Sequence, residues 1–358
     1  MNNLETLFLE AGAQTTAAVA GRLAGWLGQA THTIDLAIYD MHLTGEAAQL
    51  LIGALQARAQ AGVQVRICYD IGDNPDRANR LGAQPATPTD TGRFLAATGL
   101  PNRAITSDVH LMHHKYCILD AYTPQAQVCT GSSNWTDASW SLQENNLLFI
   151  ASTALANYYA QDFQELWSTG NIQTTGAMDT GRVTLAYANL PAATTVSFSP
   201  GQGQWIDSEV AHRVGRAQRE VTLAVVVLTS GHILGALGDL MQRGIPMDGL
   251  YDRTQMEGVF YQWEHNPHAG WKTPAFQTLA RYGHLSGKRS TPWSPTSVHD
   301  FMHNKLLIVD DTVIVGSYNF SRNAQDNAEN ILFIDSPPLA ADYRAYIRRL
   351  AARYGSPA

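Results

Sequence analysis

Apolar and polar positions follow two rhythms along this chain. Ile34 to Tyr39 alternates as a strand does, and Glu46 to Gln60 carries Ala47, Leu51, Ile52 and Leu55 at helical spacing. Gly62 then opens a second strand-like run that leads to Asp70. The same order returns later. Val221 to Leu228 reads as a strand, Ile233, Leu237, Leu240 and Met241 mark a helix, and Gly244 and Ile245 lead to Asp252. Leu147 to Ile150 and Ile331 to Ile334 predict short strands, each followed by a helix. In those helices Leu155, Tyr159 and Phe163 answer Leu339, Tyr343 and Ile347. Strands alternating with helices predict an α/β fold, with a mostly parallel sheet covered by helices on both faces.

The recurrence extends to chemistry-bearing residues. His113-His114-Lys115 precedes Asp120 by the same interval that separates His303-Asn304-Lys305 from Asp310. Gly131-Ser132-Ser133-Asn134 matches Gly316-Ser317-Tyr318-Asn319, and ten residues past each Asn stands a Glu-Asn pair, Glu144-Asn145 and Glu329-Asn330. The chain therefore divides into two tandem copies of one unit, residues 1–170 and 171–358. The join lies near Thr169 to Arg182, where polar residues and Gly collect.

Two differences stand out. The first copy has five more residues between its Asp and Asn, around Tyr122 to Gln127, which predicts a longer hairpin loop. The second has eight more between Asp252 and His303, in a stretch holding Phe260, Tyr261, Trp263, Trp271, Phe276, Tyr282 and Trp293 among Gly, Pro and His. That stretch reads either as a substrate wall or lid, or as a packed loop.

Composition narrows the class. The 358 residues are 45% hydrophobic and 15% charged, as in a folded globular protein of about two domains. A net charge of −7 argues against indiscriminate nucleic-acid coating, though a small basic pocket fits inside an acidic body. Cys68, Cys117 and Cys129 follow no CxxC spacing and lie in apolar runs, so buried thiols and a reducing, cytoplasmic setting are expected. No secretory signal is visible at the N-terminus, and no stretch approaches the roughly 18 to 20 apolar residues that span a bilayer.

His113 and Lys115 stand two apart at the start of a strand, so both side chains leave the same face. Asn134, after a Gly that allows close approach, brings an amide to the same rim. Two copies facing each other offer two imidazoles, two ammoniums and two amides around one small space. A phosphodiester suits that space. One neutral imidazole attacks phosphorus to form a phosphohistidine, and the other protonates the leaving oxygen and then activates water or an alcohol. Lys115, Lys305, Asn134 and Asn319 hold charge on the non-bridging oxygens. Glu144 and Glu329 are candidates to orient each ring through its second nitrogen. Ser132, Ser317, Trp263 and Trp271 are candidate substrate contacts. No cofactor is called for, and no metal, because the ammoniums supply the electrostatics. The crowding of His110, His113 and His114 brings no Cys or Asp at ligand spacing.

The doubled His-x-Lys-x4-Asp, each followed by Gly-Ser-x-Asn, resembles the phospholipase D superfamily over nearly the whole chain. The resemblance implies two α/β/α sandwich repeats forming a pseudo-twofold dimer with one shared active site. By that likeness His113 is the nucleophile and His303 the general acid, although both copies are complete and the residues themselves do not order the pair. Asp120 and Asp310 belong to the signature, and stand open between a catalytic and a supporting role.

Three functions fit. A phospholipid enzyme that cleaves or transfers a head group is favoured by the acidic surface and the aromatic insertion. An endonuclease is the second, because Met112-His113-His114-Lys115 and Asn134-Trp135-Thr136 are similar to the small single-motif nucleases of the superfamily. A non-catalytic binding module for phosphorylated ligands is the third. Internal duplication removes the usual need to dimerise, so a monomer touching a membrane surface transiently is expected. A long basic groove would mark the nuclease, and an apolar, Trp-lined pocket the lipid enzyme.

Overall fold

The computed structural model describes residues 2–72, 89–107, 109–177, 180–294 and 296–355. It contains two large sheets of the same plan. In the first, the strands lie in the order Leu4–Leu9, Asn145–Ile150, Gln127–Gly131, Lys115–Leu119, Thr33–Ile38, Gln64–Asp70 and Asn102–Ile105. The second repeats that order with Leu190–Ser199, Glu329–Asp335, Thr312–Gly316, Lys305–Val309, Val221–Val225, Met247–Asp252 and Ser286–Lys288, and adds Gly181–Tyr187 at its edge.

The sheets are mixed rather than mostly parallel. In the first, Thr33–Ile38, Gln64–Asp70 and Asn102–Ile105 run parallel, whereas the remaining neighbours pair antiparallel. The reason is connection length. Helix Gly45–Gln60 provides the crossover that a parallel pair requires, but only a short loop joins Leu119 to Gln127, and Asp310-Asp311 alone joins Val309 to Thr312. Such short links return the chain antiparallel. The first copy's hairpin loop is the longer one, as the extra residues predicted. The strand from Val221 ends earlier than the apolar run does, at Val225.

Helices Thr153–Thr169 and Pro337–Tyr354 lie between the two sheets. Leu155, Tyr159 and Phe163 of one share a core with Leu339, Tyr343 and Ile347 of the other. Each copy also has an outer core, built on Leu23, Leu51 and Trp140 in the first and on Val210, Leu237 and Phe276 in the second. The helix Thr153–Thr169 ends at Gly170 with φ 72°, and the second sheet opens at Gly181. Within the join, residues 178 and 179 lie outside the described residues. No helix among the described residues is long and apolar enough to cross a membrane.

The aromatic segment is not a loop. It folds as helices Arg253–Glu264 and Lys272–Tyr282, with Met256, Phe260 and Trp263 at helical spacing facing Phe276. Pro274, which reads as a breaker, sits in the first turn of the second helix, where its missing N–H costs little. His265 and His268 lie exposed in the turn between the helices.

Gly131 and Gly316 show how tightly the repeats are pinned. Both have φ near +150°, and a Cβ on either would lie about 2.2 or 2.3 Å from the carbonyl oxygen of Asn146 or Asn330, respectively. Gly131→Ala is therefore expected to lower unfolding free energy by about 3 kcal/mol. Urea denaturation tests this, and an unchanged midpoint would mean that the backbone opens at no cost.

Candidate active site

Each motif histidine is delivered by its own repeat and clamped by the other. Asp70 and Asp252, at the ends of equivalent strands, accept the N–H of Met112 at 2.7 Å and of Met302 at 2.9 Å. The next residue in each case is the histidine. His113 N–H donates to Ala328 O at 2.8 Å, and His303 N–H to Glu144 O at 3.0 Å, so each backbone bond crosses between repeats. Lys115 Nζ and Lys305 Nζ each turn back to the carbonyl of the histidine two residues earlier, at 2.7 Å. Tyr39 closes one side, its ring 4.9 Å from both Lys115 Nζ and the His113 ring.

The orienting partners of the two rings differ. His113 Nδ1 meets Glu329 Oε2 at 2.7 Å, whereas His303 Nδ1 meets Asn145 Oδ1 at 3.0 Å. Glu144 does not reach His303. It is buried against Lys288 Nζ at 2.6 Å and the Tyr354 hydroxyl, and accepts Ala11 N–H. Counting ten residues from each Asn therefore pairs the wrong positions. The pairings of Gly131 with Leu147 and of Gly316 with Ile331 make Asn145 the equivalent of Glu329 and Asn146 the equivalent of Asn330. The first copy is one residue longer here because helix Asp137–Ser141 stands where the second has the short 3-10 turn Asn323–Gln325. Asn145 is thus a site residue that sequence spacing missed.

Ser132 and Ser317 lie fully buried behind the partners rather than on the cleft wall. Ser132 Oγ donates to Asn145 Oδ1 at 2.8 Å and accepts Asn146 N–H, and Ser317 Oγ accepts Asn330 N–H at 3.0 Å. They hold the holders. Asp120 and Asp310 are remote from the motif histidines and lysines. They follow the far ends of strands Lys115–Leu119 and Lys305–Val309, roughly 16 Å along five residues of strand. Asp120 accepts the N–H groups of Thr31, His32 and Thr33, and Asp310 those of Gln218, Arg219 and Glu220. These bonds hold both carboxyls below their usual range despite partial burial. Trp263 belongs to the second copy's outer core, and Trp271 stands exposed away from the cleft. The aromatic that does reach the cleft is Trp293, stacked on His299, which stacks on Phe301.

The cleft has a volume of about 250 Å3 and is lined by His303, Lys305, Asn134, Asn319, Tyr39 and Trp293, among others. The amide oxygens of Asn134 and Asn319 have no protein partner. Burial and the neighbouring cations push both histidines well below the usual imidazole range, and burial brings Lys115 down to about 7 and Lys305 lower than its usual value. Burial also raises Glu329 to about 7, against the pull of Lys115. Each of these shifts disfavours the charged form of its own group, and a bound anion would favour the charged forms of the histidines and lysines. A larger groove, about 1040 Å3, runs past Glu5, Arg22 and Trp26 and contains none of these groups.

His114 turns the opposite way from His113, its buried ring set against Tyr116 and Phe198. The three crowded histidines therefore do not converge. Among the described residues no group of three His, Cys, Asp or Glu side chains is placed to hold a metal.

The duplication of the α/β unit is matched by the comparisons. The family model described as cardiolipin synthase, PLD-like domain, matches residues 23–167 and again 210–351, and the chain belongs to this phospholipase D-like family. Among relatives, a mitochondrial cardiolipin hydrolase of Chlamydomonas reinhardtii is 30% identical over 146 residues, 41% of this chain and 56% of that protein. A phospholipase D of Rickettsia felis is 24% identical over 156 residues, 43% of this chain and 67% of the other. The match thus spans little more than half of the algal protein's length. Among solved structures, phosphatidylserine synthase of Haemophilus influenzae has a TM-score of 0.65 at 13% identity, covering 98% of this chain and 86% of that one. Polyphosphate kinase of Porphyromonas gingivalis has a TM-score of 0.62 at 12% identity, covering 96% and 46%. These two likenesses concern the fold alone.

The placement of Asp120 generates a prediction. Asp120→Ala should lower stability by about 1–3 kcal/mol in urea melts by orphaning backbone donors, while the folded enzyme keeps phosphodiester turnover within a few-fold. A thousandfold fall in turnover with unchanged stability would restore a catalytic role.

Proposed function

We propose that this chain is a metal-independent phosphodiesterase that cleaves or transfers the head group of a phospholipid through a phosphohistidine on His113. The observation that carries the reading is the unequal pairing of the two rings, a carboxylate behind His113 and a neutral amide behind His303. Glu329 accepts Nδ1–H of His113, which fixes the tautomer with Nε2 lone pair outward. It also offsets the positive charge that develops on the ring as Nε2 bonds phosphorus. Asn145 fixes the orientation of His303 without stabilising its cationic form, which suits a ring that must give its proton away.

The sequence of bonds follows. Nε2 of His113 attacks phosphorus, the bond from phosphorus to the leaving oxygen breaks, and His303 Nε2–H protonates that oxygen. His303 then takes a proton from water or an alcohol, the resulting oxygen attacks phosphorus, and the phosphorus–nitrogen bond breaks to restore His113. Lys115, Lys305, Asn134 and Asn319 carry the charge of the non-bridging oxygens throughout. The negative charge of the bound diester raises the tendency of His303 to hold its proton, against the burial and neighbouring cations that lower it.

The cleft wall favours lipid over nucleic acid. Trp293, Phe301, Tyr39 and Val226 form it, Asp40 faces it, and the only Lys or Arg among its described lining residues is Lys305. A basic track for a phosphate backbone would need more. The full set of reacting groups in both repeats favours catalysis over simple binding. The reading takes the chain to act as a monomer, touching a membrane surface transiently in a reducing compartment. The three free, buried cysteines support that last point.

The test is turnover of phosphatidylglycerol micelles, single- and double-stranded DNA, and bis-p-nitrophenyl phosphate without added metal. Head-group release without DNA cleavage is expected, with EDTA leaving the rate unchanged. DNA cleavage that is lost with His113→Asn would replace the lipid reading by the nuclease. His113→Asn and His303→Asn should each reduce lipid turnover at least about a thousandfold. With bis-p-nitrophenyl phosphate, whose leaving group needs no proton, His303→Asn should still release about one equivalent of nitrophenol in a burst, and His113→Asn none. A burst from the His113 variant would reverse the two roles.

The pH profile follows from the same groups. Glu329 must be ionised to accept Nδ1–H, so kcat/KM should rise with pH through about 7. Lys115 must be charged, and its fall to about 7 should bring the rate down again on the alkaline side. The result is a narrow bell near neutrality. The alkaline limb of kcat should lie higher than that of kcat/KM, because bound diester favours the ammonium. Glu329→Gln should lose the acid limb along with most of the rate; an unchanged profile would remove Glu329 from the mechanism.

A further inference from the structure

A second gathering of polar side chains, including Lys272, Arg322, His232 and the buried Asp207, lies beside the second sheet. A hollow of about 450 Å3 is lined by Asp207, Ser208, Ser230, His232, Lys272 and Arg322, with others, and shares no residue with the catalytic cleft. Asp207 is buried beneath it, and its Oδ2 holds Nδ1 of the exposed His232 at 2.8 Å, which presents Nε2 outward. Lys272 Nζ donates to Thr229 O at 2.9 Å and lies 5.7 and 5.9 Å from the ring centres of Trp263 and Trp271. Burial lowers the pKa of this half-buried ammonium, and the charge of Asp207 works against that lowering. Arg322 is engaged through Nη1 with Gln325 and Asp326. The hollow also meets the start of helix Gly231–Gln242, where Ser230 Oγ caps Ile233 N–H.

The chemistry of these groups selects the guest. A metal ion would find only one carboxylate and one imidazole, with an ammonium beside them. Ser230 has its hydroxyl committed to the cap and is no nucleophile. A tetrahedral oxyanion, in contrast, would meet an ammonium, a guanidinium, an imidazole fixed by a buried carboxylate, and the positive end of a 12-residue helix.

The hollow is tied mechanically to the cleft. Phe320 O accepts the N–H groups of both Thr229 and Ser230, at 2.9 and 3.1 Å. Asn319 lines the cleft and Arg322, three residues on, lines the hollow, so their Cα atoms are at most about 11 Å apart. Val226 and Ser230 bridge the two in the same way along the other segment.

We propose that the hollow bounded by His232, Lys272 and Arg322 is a second phosphate-binding site. Resting on the lipid reading of the cleft, it takes a second phosphate of the lipid whose first phosphodiester reacts. Trp271 then has a role that the cleft does not give it, as the apolar flank of the ammonium that grips this second phosphate.

The experiment uses the full chain. The His232 ring signals, assigned by their loss in His232→Gln, are followed by NMR as inorganic phosphate is added. Saturable movement is expected, retained in His113→Asn and lost when Lys272→Ala and Arg322→Ala are combined. Signals that stay still at tens of millimolar phosphate would overturn the proposal. Turnover then separates the two sources of phosphate. The combined variant should lose about tenfold in kcat/KM on a lipid carrying two phosphodiesters in mixed micelles, and little on a lipid carrying one. Equal effects on both lipids, with phosphate binding intact in the parent, would assign the site to free phosphate and overturn the substrate half of the proposal. Bis-p-nitrophenyl phosphate is the control. Its turnover should be unchanged in the combined variant, and its absence in the parent would overturn the reading of the cleft while leaving phosphate binding at His232 standing.

Discussion

The site depends on keeping two ammoniums and two imidazoles together out of water. Lys115 and Lys305 are almost wholly buried, and each donates to the backbone carbonyl of the histidine two residues earlier. Burying such a charge costs several kcal/mol, and like charges nearby add to that cost. The surrounding fold must therefore be stiff enough to hold an arrangement that is unfavourable by itself. Crossed backbone bonds from His113 to Ala328 and from His303 to Glu144 provide part of this stiffness, because neither histidine can shift without disturbing both repeats. The central helices provide more. Tyr159 and Tyr343 reach Asn330 and Asn146 from opposite repeats, so the packing between the sheets is continuous with the polar network under the rings.

Much of this was legible in the sequence because duplication exposes what a single copy conceals. His113, Lys115, His303 and Lys305 lie close enough to act on one another's charge, with His303, Lys305, Asn134 and Asn319 lining the cleft, and the recurring strands and helices occupy matching places in two sheets. What escaped was whatever depended on exact register or on one loop. Asn145 went unseen because one extra residue separates it from Asn134 compared with the interval from Asn319 to Glu329, and spacing alone cannot locate an insertion inside a loop. Asp120 and Asp310 share the motif without sharing the cleft, since a strand of five residues carries them away from it. The aromatic stretch looked irregular because its Gly, Pro and His residues drew attention from the helical spacing of Met256, Phe260 and Trp263. The parallel character of the sheet was overestimated because helices are easier to see in sequence than the short returns that reverse a chain.

The identity of the partner behind each ring is where the two repeats part chemically. Glu329 and Asn145 occupy equivalent positions, differ by one side-chain methylene and by charge, and are braced by equivalent serines. Symmetry in the backbone is preserved while symmetry in the electrostatics is broken. The break is confined to one position, so the rest of each repeat can remain alike.

That confinement has a historical consequence. A symmetric ancestor built from two copies of the first half would set an amide behind each imidazole, and one built from two copies of the second half would set a carboxylate behind each. In either assembly both rings would be interchangeable, and a substrate could enter in two equivalent orientations. Covalent fusion lets one position change without its twin. On the proposed reading, the tandem chain would bind an unsymmetrical molecule in a single direction, with its two ends consigned to different walls.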